Sequence, residues 1–66
     1  MARDPREVYF EFTAVGGAVK VAAIDAITGI EVTIMGPASA AQADLQQLAL
    51  AKLKARLARE VGNPQI

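Results

Sequence analysis

Cysteine, histidine and tryptophan are absent from this chain of 66 residues, and aromatic side chains are limited to one tyrosine and two phenylalanines. Without cysteine there is neither a disulfide nor a thiolate ligand, and without histidine there is no imidazole to hold a metal or move a proton near neutral pH. The usual staples of a small domain are therefore missing, so stability has to come from packing or from oligomerisation. A chain this short buries only about 60% of the surface its unfolded form exposes, which leaves a monomer marginally stable. An excess of either charge is lacking too. Seven basic and seven acidic residues balance to a formal charge of zero, and no overall field draws the protein to nucleic acid or to an anionic membrane. Long apolar runs are also missing: nothing approaches the roughly 20 apolar residues of a membrane span. The start, Met-Ala-Arg-Asp-Pro-Arg-Glu, is polar and unlike a signal peptide. The expectation is a single cytoplasmic domain with no cofactor and no membrane partner.

What is present organises itself around Ala18 to Asp25, a β-prone run with a turn signal on either side. Gly16-Gly17 can take the positive φ values of a type I′ turn without steric cost, which predicts a two-residue hairpin. That turn sets Phe12 opposite Val21, Phe10 opposite Ala23 and Val8 opposite Asp25, with Thr13 facing Lys20, Glu11 facing Ala22 and Tyr9 facing Ile24. The second turn, Asp25-Ala-Ile-Thr-Gly29, reads as a four-residue loop on a type I turn. Asp25 would bond the backbone two residues on, and Gly29 would hold the left-handed position. The rows then continue from Ala23 to Val32 and from Val21 to Ile34. A slip of one residue would exchange the two faces, yet both turns place the strong apolar set on the same side.

The chain is thus expected to form a loose arm over residues 1 to 7, a three-stranded meander over 8 to 35 ended by Gly36-Pro37, and a helix over 40 to 61. Ser39 and Gln42 have the spacing of a capping box, Asp44 suits the positive end of the helix dipole, and Gly62 suits its end. At about 3.6 residues per turn, Leu50, Leu53, Leu57 and Val61 make a stripe widened by Leu45 and Ala49, which can lie on the face of Phe10, Phe12, Val21, Val32 and Ile34. The predicted fold class is α+β: an antiparallel sheet of order 1-2-3 with one C-terminal helix on one face. The other face keeps Tyr9, Ile24 and Met35 among polar residues.

An enzyme needs a group that can move protons or attack at neutral pH, and the candidates here are few. Ser39 reads as a helix cap. Glu11 and Glu31 share a face but sit on the outer strands, roughly 9.6 Å apart, where an open surface cannot raise a carboxylate pKa by burial; they read as solubilising edge charges. Gly16-Gly17 lacks the spacing and the following helix of a phosphate-binding loop. No catalytic or metal-ligating set emerges, and the chain is expected not to be an enzyme.

Two surfaces offer an interaction. Tyr9, Ile24 and Met35 on the uncovered face could form an apolar interface, and the edge strands could join two sheets; both favour a homodimer or another protein as partner. Lys52, Arg56 and Arg59 fall on one helical face with no acid between residues 51 and 59, which makes weak contact with nucleic-acid phosphates the alternative. Cations in the later turns of a helix, however, also simply complement its dipole, and the sheet lacks the exposed aromatic pair that base stacking would use.

The words Glu-Val-Tyr-Phe-Glu-Phe (7 to 12), Val-Gly (15 to 16), Val-Lys-Val (19 to 21), Ala-Ile-Asp (23 to 25), Thr-Gly-Ile-Glu-Val (28 to 32) and Gly-Pro-Ala-Ser (36 to 39) resemble a family of short uncharacterised bacterial proteins classed as a domain of unknown function. The resemblance spans residues 7 to 59 and implies a small stand-alone cytoplasmic protein. It brings no activity to any residue. Ile27 and Ile30 depart from it, standing where smaller or polar residues are expected.

Overall fold

A computed structural model describes residues 7–62, with side chains through Glu60. Strand β1, Val8–Val15, turns at Gly16-Gly17 into β2, Ala18–Asp25, and β3, Glu31–Pro37, lies on the other side of β2. Helix α1, Gln42–Gly62, follows. Both ladders are antiparallel and carry the expected register, with Phe12 opposite Val21, Phe10 opposite Ala23, and Ile34 and Val32 completing those rows from β3.

The turns reach that register by slightly different chemistry. Of the two hairpin glycines only Gly16 has a positive φ, +60°, so the hairpin has the pattern of a type II′ turn, in which the first central residue alone is left-handed, rather than type I′. At the second turn Asp25 acts three residues on, not two. Its Oδ2 accepts from the Thr28 backbone N–H at 2.9 Å and from the Thr28 hydroxyl at 2.8 Å, and that hydroxyl accepts from Ile30 N–H. Gly29 sits at φ +77° and donates to the Asp25 carbonyl. Asp25 is fully buried, and burial of a carboxylate is tolerable only with such donors around it.

Gly36 and Pro37 do not end the sheet; they belong to it, opposite Val19 and Ala18. The ladder runs one bond further, from Ala38 N–H to the Gly17 carbonyl. The chain is therefore still held to β2 where a helix from Ala40 would have to begin. A turn closed by Ala40 N–H on the Pro37 carbonyl follows, and Ala41 becomes the capping residue, its carbonyl taking Asp44 and Leu45 N–H. Ser39 is two residues too early to cap, and the helix starts at Gln42 rather than Ala40. Of the expected N-terminal arm, Glu7 is anchored, its carbonyl accepting from Ala26 N–H at 2.9 Å; residues 1–6 lie outside those described.

The core is a single layer between helix and sheet. Leu45, Ala49, Leu53 and Leu57, spaced four apart, are buried against Val21, Ala23 and Val32, with Leu53, Val21, Ala23 and Ala49 sealed completely. Leu50, expected in the same stripe, is only partly buried at its margin. The Val61 side chain lies outside those described. Ala22 is buried although it points to the open face, because the longer Lys20 and Ile24 on its own strand and Glu11 and Thr33 across the ladders surround its single methyl.

Candidate interaction surface

A helix is about 10 Å across with its side chains, whereas strands lie about 4.8 Å apart, so one helix can cover two strands but not three. Only residues 38–41 separate β3 from α1, and a short connection keeps consecutive elements adjacent. The helix accordingly packs over β2 and β3. The helix-facing side of β1 is left at the margin: Val8, Phe10 and Phe12 touch the core but remain half-buried, and Ala14 is exposed. Beside them a cleft of about 360 Å³ opens at the start of the helix, lined by Phe12, Ala14, Val19, Ala40 and Leu45 among others. Sequence patterning placed both phenylalanines in the core. The signal that could have found this flank is width, one helix against three strands.

On the opposite face the ladders set the rows. Tyr9 and Ile24 are direct neighbours, with Glu31 completing their row. Met35 belongs to the row of Thr13 and Lys20, four residues along β2 from Ile24 and hence about 13 Å away. The polar row of Glu11, Ala22 and Thr33 lies between. Tyr9, at 56% exposure, and Met35, at 58%, are both accessible, but the three residues do not form one patch. Ile27 adds a further exposed apolar side chain at the second turn.

Tyr9 is tied down by its own strand's start. Its hydroxyl donates to Glu7 Oε1 at 3.1 Å, and this bond, together with the negative charge of Glu7, raises the phenol above its ordinary 10.0. The sign follows from linkage: with the folded value above the unfolded one, the contribution is complete below pH 10 and is lost as pH rises through the folded value. Glu7→Ala should bring the Tyr9 midpoint down to about 10, followed by ultraviolet absorbance of the sole tyrosine. An unmoved midpoint would show that the carboxylate is not the cause.

The basic helix face is largely engaged within the chain. Lys52 Nζ donates to the Thr33 carbonyl at 2.7 Å, and Arg56 Nε meets Glu60 Oε2 at 2.9 Å. Arg59 is exposed nearby on the same side of the helix. The Lys52 bond spans 19 residues, which no local pattern announces.

Three backbone bonds at the strand ends reveal how the backbone alternates. Asp25 N–H reaches Ile30 and Ala38 N–H reaches Gly17 across the β2–β3 ladder, while Ala26 N–H reaches Glu7 across β1–β2. In an antiparallel sheet successive residues direct their backbone groups to opposite sides. Odd-numbered residues of β2 therefore bond β3, and even-numbered ones bond β1. It follows that Glu31, Thr33, Met35 and Pro37 present their backbone groups to the outer edge of β3, and that Val8, Phe10, Phe12 and Ala14 present theirs to the outer edge of β1. The β3 edge is guarded, because Lys52 occupies the Thr33 carbonyl and Pro37 has no N–H to offer. Among the described residues nothing comparable covers the edge of β1.

Among the described residues there is no cluster of three acidic side chains that could hold a metal ion, and no helix is long and apolar enough to cross a membrane. No curated protein and no solved structure matches the chain. A family model does, over residues 5–60, which include all three strands and nearly the whole helix; the chain belongs to the family described as Domain of unknown function (DUF6898).

Proposed function

We propose that this protein is a non-enzymatic association domain whose first partner is a second copy of itself. One observation carries the reading: Phe10 and Phe12, two of only three aromatic residues in the chain, stay half-buried on the flank that the helix does not cover. Apolar area removed from water contributes about 25 cal/mol per Å², so a domain with so small a core gains most by covering that flank. The zero formal charge leaves no net repulsion between copies. The absence of histidine and cysteine supports a role without catalysis. A bacterial cytoplasm is the location that goes with this reading, supported by the cysteine-free composition and the family resemblance. Nucleic-acid binding through Lys52, Arg56 and Arg59 is not adopted, because Lys52 and Arg56 already have partners within the chain.

Light scattering on a sizing column, over a range of concentrations, tests the proposal. The expected mass rises toward twice 6.9 kDa with concentration. A mass of 6.9 kDa maintained up to about 1 mM, the concentration at which a pair held by only ~4 kcal/mol would assemble, overturns it.

A further inference from the structure

We infer that two copies join through the outer edge of β1, pairing antiparallel about a two-fold axis at Phe12 to make one continuous sheet of six strands. The inference rests on the self-association proposed above and adds the surface and its register. Three observations select this edge. Its backbone donors and acceptors at Phe10, Phe12 and Ala14 point away from β2, by the alternation that the Ala26 to Glu7 bond fixes. The opposite edge is the less open of the two, with Lys52 on the Thr33 carbonyl and no N–H at Pro37. Finally, the residues whose backbone faces the β1 edge are the same ones whose side chains occupy the uncovered flank, so that one contact satisfies the backbone and sets apolar side chains together.

The register follows from charge and strand length. For backbone groups to meet, an outward residue must oppose an outward residue, and the axes that keep a useful length of β1 paired are then Phe10, Glu11, Phe12 and Thr13; the last pairs only residues 11 to 15, a shorter contact than an axis at Phe12 gives. An axis at Glu11 places that carboxylate directly against its own copy, a like-charge pair that destabilises a sheet. An axis at Phe10 sets Thr13 and Ala14 against Glu7 and Arg6, beyond the start of β1 at Val8. With the axis at Phe12, residues 9 to 15 of both strands pair entirely within β1. Phe12 meets Phe12 and Phe10 meets Ala14 on the helix side, while Glu11 meets Thr13 and Tyr9 meets Val15 on the open side. No like charges oppose one another.

Residue-resolved amide exchange on the unmodified chain reads this directly. At a concentration giving ninety per cent dimer, the Phe10, Phe12 and Ala14 amides should exchange about tenfold more slowly than at high dilution, because they exchange only from the remaining monomer. The outward amides of Glu31 and Met35 on β3 should not change. Ala14→Pro then removes one outward N–H while leaving every bond to β2 intact, and should return the mass to monomer with the far-ultraviolet circular dichroism unchanged; Met35→Pro, the equivalent change at the other edge, should leave the dimer in place. A dimer whose β1 amides exchange at the monomer's rate, or one that survives Ala14→Pro, overturns the β1 edge while leaving self-association standing. A monomer at every concentration overturns both.

Discussion

Leu53→Ala is expected to leave a large part of the chain unfolded at 25 °C. Leu53 is the largest side chain sealed completely in the core, at 0% exposure, and it stands in the middle of the buried row running from Leu45 to Leu57. Truncating a buried leucine costs about 2–5 kcal/mol, the lost transfer energy plus the cavity left behind. A single core in a domain of this size supplies no more than about 3–5 kcal/mol in total. The two quantities are comparable, so the loss consumes most of the stability. Urea titrations followed by circular dichroism, at one fixed protein concentration because assembly adds to apparent stability, should show the midpoint collapsing toward zero denaturant. Leu48→Ala, on the exposed side of the same helix, is the control and should stay within about 0.5 kcal/mol of the parent. Equal effects at the two leucines would mean that the core is not centred where the helix row places it.

Gly36→Ala should destabilise, by up to about 2.5 kcal/mol, although alanine suits a strand better than glycine does. A methyl at Gly36 overlaps Leu45 Cδ2 and comes within 3.3 Å of Leu45 Cδ1. Forcing a buried leucine aside costs about 1–3 kcal/mol. The stiffer unfolded chain returns only about 0.4–1 kcal/mol. In thermal melts each kcal/mol of net loss corresponds to a fall of roughly 4–8 °C for so small a domain. Leu45→Val separates crowding from other causes. If the methyl acts through Leu45, shortening that side chain costs less in the Gly36→Ala background than in the parent. Additivity within about 0.5 kcal/mol would rule the clash out.

The register was readable from the sequence because two turns fixed it independently. Gly16-Gly17 and Asp25 to Gly29 each set which residues share a face; a one-residue error would have placed Phe12 with Lys20 at the first turn or Val21 with Thr33 at the second. The helix start was not readable in the same way. Ser39 and Gln42 have the spacing of a capping box, but the bond from Ala38 to Gly17 is a tertiary one and holds the chain in the strand past the point where the box could act. The lateral position of the helix was hidden for a different reason: periodicity specifies which face of a helix is buried, not which strands lie beneath it. Phe10 and Phe12 therefore read as interior although the helix stops short of them. Tyr9, Ile24 and Met35 shared a face as the pleat required, but distance along the strand kept Met35 from its expected neighbours.

The unequal edges of the sheet also determine how far assembly can proceed. Added strands need a free row of backbone groups, and a molecule offering such rows on both sides polymerises, each addition exposing another. Here the lysine that caps Thr33, with the proline after it, obstructs one side. On the inference drawn above, joining through the other edge would use the more open row of both copies, and an isologous contact of this kind is complete in itself. Growth would then stop at two. One ammonium group and one proline on the far side of the fold would thus separate a closed particle from a fibre.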